Sequence, residues 1–189
     1  MKKILMLTTA VFLSTSALAT ETTSADTYLS VMGGYTRTDA DLEIYGYKLI
    51  GDKFNTATLT VEAGKKMNEY LRVGFETAYR YTDLEDWGLK YQMITPSAQL
   101  YLDLPNKTLM TPYLNVGAGM NFGWTDDSED DMQQSFTYNV GAGVNMKVND
   151  NLSLDVKYRY VNFGELYDDY DITVPATGNE FLVGLRYTF

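Results

Sequence analysis

Apolar and polar residues alternate along most of the chain, in segments of about ten residues separated by polar stretches. In one segment Phe136, Tyr138 and Val140 alternate with Thr137 and Asn139. Period two is the side-chain periodicity of a β-strand, and no stretch after the N-terminus has the spacing of an amphipathic helix. Because the segment recurs about eight times, the pattern predicts an all-β protein with an eight-stranded antiparallel sheet.

Turn residues set the bounds of the predicted strands. The strands are 27–37, 56–67, 70–81, 91–104, 111–124, 135–148, 152–163 and 180–189. Three connections, at 68–69, 105–110 and 149–151, are short and contain the Asn, Asp or Pro of tight turns. The other four are long: 38–55, 82–90, 125–134 and 164–179. Since short and long connections alternate, all tight turns fall at one end of the sheet and all long loops at the other.

The first nineteen residues have the features of a secretory signal peptide. Lys2 and Lys3 precede an apolar stretch over residues 4–13, and Ala17 and Ala19 form the small-x-small end at which such peptides are cut. The apolar stretch is shorter than the roughly 18 residues that a spanning helix needs. We expect a signal peptide over residues 1–19 and one exported domain over residues 20–189.

Composition excludes several kinds of chemistry. Without Lys2 and Lys3 the chain carries 13 basic and 25 acidic side chains, a net charge of −12, which argues against a nucleic-acid partner. The absence of Cys rules out disulfides, and the absence of His removes the commonest general base and zinc ligand. No cofactor and no metal site are predicted.

Two architectures fit the alternation: a soluble calyx of the lipocalin type with its apolar face inward, or a membrane barrel with its apolar face in lipid. Strands of about ten residues have the length that crosses a bilayer. Aromatic residues gather near the ends of the apolar stripes, as at a membrane interface. The polar stripes carry charges that a dry core would not tolerate unpaired. These are Glu62, Arg72, Glu76, Arg80, Asp155, Lys157, Arg159 and Arg186. A transmembrane β-barrel is the better fit.

Several short motifs resemble those of a known family. They are Thr111-Pro112-Tyr113, residues 115–119 (NVGAG), their echo at 139–143, and Leu152-Ser153-Leu154-Asp155 before Tyr158-Arg159-Tyr160. With them the chain resembles the small eight-stranded outer-membrane barrels of the OmpA, OmpX and opacity-protein type, also grouped as porin-like barrel domains. The resemblance implies an up-and-down transmembrane barrel in the outer membrane of a Gram-negative bacterium.

The last residues also resemble a signal of that family. Gly184, Tyr187 and Phe189 match the C-terminal insertion signal of outer-membrane barrels, while Leu182 stands where the signal prefers a polar residue. The match implies recognition by the barrel assembly machinery during insertion. Outer-membrane lipid and lipopolysaccharide are the other partners that the resemblance implies.

The polar interior is the first candidate site. We expect Glu62 and Glu76, on neighbouring strands, to lie near mid-depth and to pair with Lys157 and Arg186 across a lumen just wide enough for side chains. Such a network is a salt-bridged plug or a narrow, gated pore for small ions. The enzymes known on such barrels generally depend on His, so an enzyme is not expected.

The long loops are the second candidate site, because recognition residues are found on loops held by a rigid scaffold. They combine acids with aromatic residues: Tyr45, Tyr47, Trp87, Asp126, Asp127, Glu129, Asp130, Asp131, Tyr167 and Tyr170. The acids form solvated loop tips, or else capture divalent cations beside lipid headgroups or dock a basic partner. We predict a non-enzymatic surface protein that serves envelope integrity or adhesion and host contact, with a host or surface ligand bound by the loops.

Overall fold

A computed structural model describes residues 26–44, 47–84, 89–125, 133–169 and 172–189. Eight antiparallel strands form a closed barrel in which each strand pairs with its sequence neighbours and β1 pairs with β8. Their bounds are β1 Thr27–Ile44, β2 Tyr47–Lys66, β3 Leu71–Leu84, β4 Leu89–Asp103, β5 Met110–Thr125, β6 Gln133–Lys147, β7 Leu152–Asp169 and β8 Ile172–Thr188. The predicted eight-stranded up-and-down barrel is confirmed.

The strands are longer than predicted at the end of the barrel with the long connections. The predicted loops 38–55 and 164–179 are mostly strand, since β1 continues to Ile44, β2 begins at Tyr47, and β7 and β8 meet at Asp169 and Ile172. The predicted loops 82–90 and 125–134 are shortened in the same way. The acids in these segments indicated loops, but they alternate with apolar residues, and the antiparallel ladder continues through them.

The apolar side of each strand faces outward. Val140 and Leu185 are each 51% exposed, whereas Glu76 and Lys157 are buried inside the barrel. An inward-facing apolar calyx is therefore excluded, and the outward apolar band is the surface that a barrel presents to lipid. No helix among the described residues is long and apolar enough to cross a membrane.

Exposed aromatic side chains lie towards both ends of this apolar band. Tyr158 and Phe136 lie on the side of the long hairpins, and Tyr187 and Phe189 lie on the side of the tight turns, where their rings meet edge to face with centroids 5.1 Å apart. Rings with a polar edge favour the interface between lipid and water. The two sets therefore mark the two boundaries of the membrane-spanning region.

The seam between β1 and β8 requires glycine on its inner side. A Cβ atom at Gly184 would lie 2.1 Å from the carbonyl oxygen of Val31 and 2.5 Å from Cα of Met32. These are backbone atoms of the facing strand, which cannot move aside without opening the ladder. Gly33, one register step away on the outer side, has open space except for a single atom at 4.0 Å.

Gly184→Ala is expected to destabilise the barrel, because the added methyl collides with the β1 backbone. Overpacking typically costs about 1–3 kcal/mol of unfolding free energy, and a clash with rigid backbone belongs at the upper end. Gly33→Ala, the matched control, should be tolerated. The measurement is the fraction of refolded protein with heat-modifiable gel migration. Equal folding of the two variants would contradict the seam constraint.

Candidate functional site

The strand register brings two carboxylates together inside the barrel. Glu62 on β2 lies directly opposite Glu76 on β3, and both side chains are buried. Like charges on adjacent strands repel, so the pair requires cations within reach. The cations come from β7, where Lys157 and Arg159 occupy successive inward positions and are also buried.

Glu76 is the centre of this interior network. Its Oε1 accepts a hydrogen bond from Arg159 Nη1 at 2.7 Å, and its Oε2 accepts one from Lys157 Nζ at 3.2 Å. Lys157 Nζ is also 3.8 Å from Glu62 Oε2. Both oxygens of Glu76 are therefore bound by cations from a strand four positions away in the barrel order.

Glu180 extends the network towards the long hairpins. Its carboxylate binds Arg159 Nε, accepts a hydrogen bond from Arg80 Nε at 3.0 Å, and accepts another from Thr36 Oγ1 at 2.7 Å. Arg80 Nη1 then donates to Thr95 Oγ1 at 2.8 Å. The sequence analysis missed Glu180 because it was placed at the end of a strand. Glu180 is two residues from the inward-facing Leu182, so the parity of its position in the strand could have revealed it.

The layer nearest the tight turns is built on tyrosines. Arg72 Nε pairs with Asp103 at 2.7 Å, and its guanidinium carbon lies 4.2 Å from the ring centroid of Tyr101. Three hydroxyl groups bind the interior acids: Tyr28 donates to Glu62 at 2.5 Å, Tyr101 donates to Glu62, and Tyr113 donates to Asp155 at 2.6 Å. The sequence analysis assigned no interior role to these tyrosines or to Asp103. Only their inward parity could have revealed them.

Arg186 departs from its expected partners. It was expected to pair with Glu62 or Glu76 at mid-depth, but it forms its ion pair with Asp155 on the neighbouring strand β7. Its guanidinium carbon lies 5.1 Å from the centroid of the Tyr28 ring, and Tyr28 in turn donates to Glu62. The expectation was wrong because an adjacent strand offers the nearer acid and Tyr28 already contacts Glu62.

Apolar side chains fill the interior above the charged layers. Met93, Val161, Phe163 and Ala176 form a buried cluster, with Tyr91 packed against it. The free space between Thr38, Arg80, Tyr91, Met93 and Phe163 amounts to about 10 Å³, which is about the volume for one water molecule. Buried side chains therefore occupy the described lumen from the layer of Arg72 and Asp103 to the cluster around Phe163.

The interior arrangement is suited to holding charge rather than to acid–base chemistry. All eight interior residues named from the sequence point inward and are buried. The carboxylates of Glu76, Asp155 and Glu180 are each held in an ion pair with an arginine. Among the described residues, no group of three or more acids could hold a metal ion.

The side chains of all the loop candidates lie outside the part of the chain that the structure describes. Tyr45, Trp87 and Tyr170, with Asp126, Asp127, Glu129, Asp130 and Asp131, lie outside the described residues. Tyr47 and Tyr167 belong to the described strands β2 and β7 by their backbone, but their side chains lie outside the description.

Glu76→Gln is expected to lower the free energy of unfolding by about 3–5 kcal/mol, because it leaves Lys157 and Arg159 buried with less compensating charge. Urea unfolding of the protein in lipid vesicles, followed by tryptophan fluorescence, measures the change. The control is Asp150→Asn, which breaks the exposed 3.1 Å pair with Lys147 and should have no measurable effect. A similar midpoint for all three proteins would show that the interior pairs add nothing to stability.

Comparison with known proteins agrees with this architecture. A family model described as an outer membrane protein beta-barrel domain matches residues 5–189. The outer membrane protein PagN of Salmonella typhimurium strain LT2 is 26% identical over 121 residues, which are 52% of this chain and 50% of PagN. The 22 kDa outer membrane protein of Rhizobium leguminosarum bv. viciae is 37% identical over 67 residues, which are 33% of this chain and 31% of that protein. The chain thus spans half or less of the length of these two relatives.

Among solved structures, Neisserial surface protein A is similar with a TM-score of 0.68 and 19% identity, over 88% of this chain and 98% of that protein. The outer membrane protein OprG of Pseudomonas aeruginosa has a TM-score of 0.52 and 12% identity, over 87% of this chain and 96% of OprG. At such low identity the likeness shows a shared fold. Since the family model covers nearly the whole chain, the protein belongs to the outer membrane protein beta-barrel domain family and is located in the bacterial outer membrane.

Proposed function

We propose that this protein is a non-enzymatic surface protein whose barrel holds the long hairpins outside the cell for adhesion or host contact. The proposal rests on the contrast between an interior filled by side chains and strands that extend beyond the apolar band at the end with the long connections. Buried side chains occupy the part of the interior that the structure describes, whereas the hairpins offer a large surface to the outside. Envelope integrity is a second role that a rigid, filled barrel serves.

The longest hairpins are neighbours in the barrel. Ile44 of β1 lies opposite Tyr47 of β2 on one side and opposite Ile172 of β8 on the other, while Ile172 lies opposite Asp169 of β7. Four strands therefore continue side by side as one sheet to the ends of the β1–β2 and β7–β8 hairpins. These two hairpins carry four of the five aromatic residues predicted to recognise a ligand. Large, rigid aromatic side chains are common anchors in binding sites.

Substitution of Tyr45, Tyr47, Tyr167 and Tyr170 by Ser is expected to reduce adhesion of bacteria that display the protein to cultured host cells by at least about fivefold, the effect of losing one contact worth about 1 kcal/mol. Tyr70→Ser is the matched control, because Tyr70 is exposed next to a tight turn at the opposite end of the barrel. Surface amounts are equalised by quantitative immunolabelling of intact cells. Unchanged adhesion of the fourfold variant would contradict the adhesion role and would leave envelope integrity, tested by detergent sensitivity of a deletion strain, as the function.

The filled lumen also gives an expectation for conductance. Purified protein in planar bilayers should show no single-channel steps, because ion pairs and the apolar cluster close the interior. The Glu76→Ala variant removes one carboxylate but leaves the cluster around Met93 and Phe163 in place, so it should also remain closed. Discrete steps from the wild-type protein would favour the alternative function of a narrow, gated pore.

The proposed route to the membrane follows from the two ends of the chain. Residues 1–19 are a signal peptide that is removed on export, which leaves the domain over residues 20–189. Gly184, Tyr187 and Phe189 form the signal that the barrel assembly machinery reads. The exposure of Tyr187 on the last strand and of Phe189 directly after it supports this assignment.

A further inference from the structure

Near the hairpin end of the described barrel, Lys48, Lys53 and Lys90 each lie opposite an acid on the neighbouring strand, whereas an arginine on the outer wall does not. Lys53 lies opposite Asp39, with 2.9 Å between Nζ and Oδ1, and Lys90 lies opposite Asp83 in the register of β3 and β4. Arg37 lies opposite Asn55 on β2 and Asn179 on β8, and it forms no ion pair with any residue that the structure describes. We propose that Arg37, flanked by Asn55 and Asn179, binds a phosphate group of the outer-leaflet glycolipid.

Arg37, Asn55 and Asn179 form one row across β8, β1 and β2, and the depth of this row in the membrane matches that of a lipid phosphate. The row next to it, towards the membrane centre, consists of Tyr35, Ala57 and Phe181, and the two rings are 54% and 44% exposed. Arg37 and Asn55 are exposed in the same direction. The row of Arg37 is thus the first polar row above the aromatic boundary of the apolar band. Lipid phosphates are found at this depth, between acyl chains and sugar headgroup.

The neighbouring side chains supply donors for an anion. The hydroxyl group of Tyr158 donates to Asn179 Oδ1 at 2.8 Å, so the group of Asn179 that can donate to an anion is its NH₂. The guanidinium of Arg37 offers a planar pair of donors, which matches two phosphate oxygens. A guanidinium group between two carboxamides is therefore suited to binding an anion.

Because the protein carries a net negative charge, a phosphate group needs a local cation to bind to the barrel wall. The exported chain carries a net charge of −12 and its long hairpins are acidic, so the protein as a whole repels a phosphorylated glycolipid. At an interface of low dielectric constant, a single short-range ion pair acts against this more diffuse repulsion, which salt screens. The site would therefore fix where the glycolipid contacts the wall, on the face formed by β8, β1 and β2.

The test is binding of lipid A to the full-length refolded protein in dodecyl maltoside, measured by native mass spectrometry. Two probes are used, bisphosphorylated lipid A and its dephosphorylated form, and EDTA is present throughout so that divalent cations cannot bridge phosphate to Asp39. Arg37→Gln is compared with Lys65→Gln, which removes an outer-wall cation at the end of β2 next to a tight turn. Arg37→Lys keeps the charge and removes the planar fork. Folding of each variant is checked by heat-modifiable migration.

Arg37→Gln is expected to weaken binding of bisphosphorylated lipid A by about five- to tenfold, the effect of one charge-assisted hydrogen-bonded pair at an interface. Lys65→Gln should bind it like the wild type, Arg37→Lys should be intermediate, and the dephosphorylated probe should not distinguish the proteins. Equal loss in Arg37→Gln and Lys65→Gln would overturn the proposal, since it would show general charge attraction. Unchanged binding by Arg37→Gln, or equal binding of both probes to the wild type, would also overturn it.

Discussion

The contact of Glu76 with Lys157 and Arg159 across the lumen is the interaction on which the rest of the interior depends. Glu62 and Glu76 face each other on adjacent strands, an arrangement that is unfavourable unless cations approach both. Those cations reach across from β7, so the ion pairs connect opposite sides of the wall. They couple strands that share no backbone ladder, and they do so only when the barrel is closed.

The bilayer supplies the complementary constraint. No water is available in the hydrocarbon region to satisfy the edge of an open sheet, so the first and last strands must pair. The close approach at Gly184 is the local form of this requirement, because the facing backbone leaves no space for a side chain. Closure encloses the polar stripes, and each buried charge is then compensated inside the protein and not by solvent.

Much of the fold was predictable from the sequence, because the alternation defines the strands and divides their residues between two faces. Strand length, the aromatic residues near the ends of the apolar stripes and the charges of the polar stripes then place Val140 and Leu185 outside, with Glu76 and Lys157 inside. The partners of each charge were not predictable. The pairing of Arg186 with Asp155 depends on the stagger between strands and on the position of the Tyr28 ring, and neither is visible in a linear pattern. The inward tyrosines escaped notice because an aromatic residue suits either face of the wall.

The pairing of β1 with β8 has a consequence for how the protein is made. The ladder joins residues near both ends of the described chain, from Tyr28 with Thr188 to Ile44 with Ile172. Its two halves are therefore the first and the last parts of the barrel to leave the ribosome. One edge of the leading strand pairs with β2, but its other edge has no partner until translation is almost complete, and export must precede closure. Periplasmic chaperones that cover apolar strands thus protect an unclosed intermediate that this strand topology makes unavoidable.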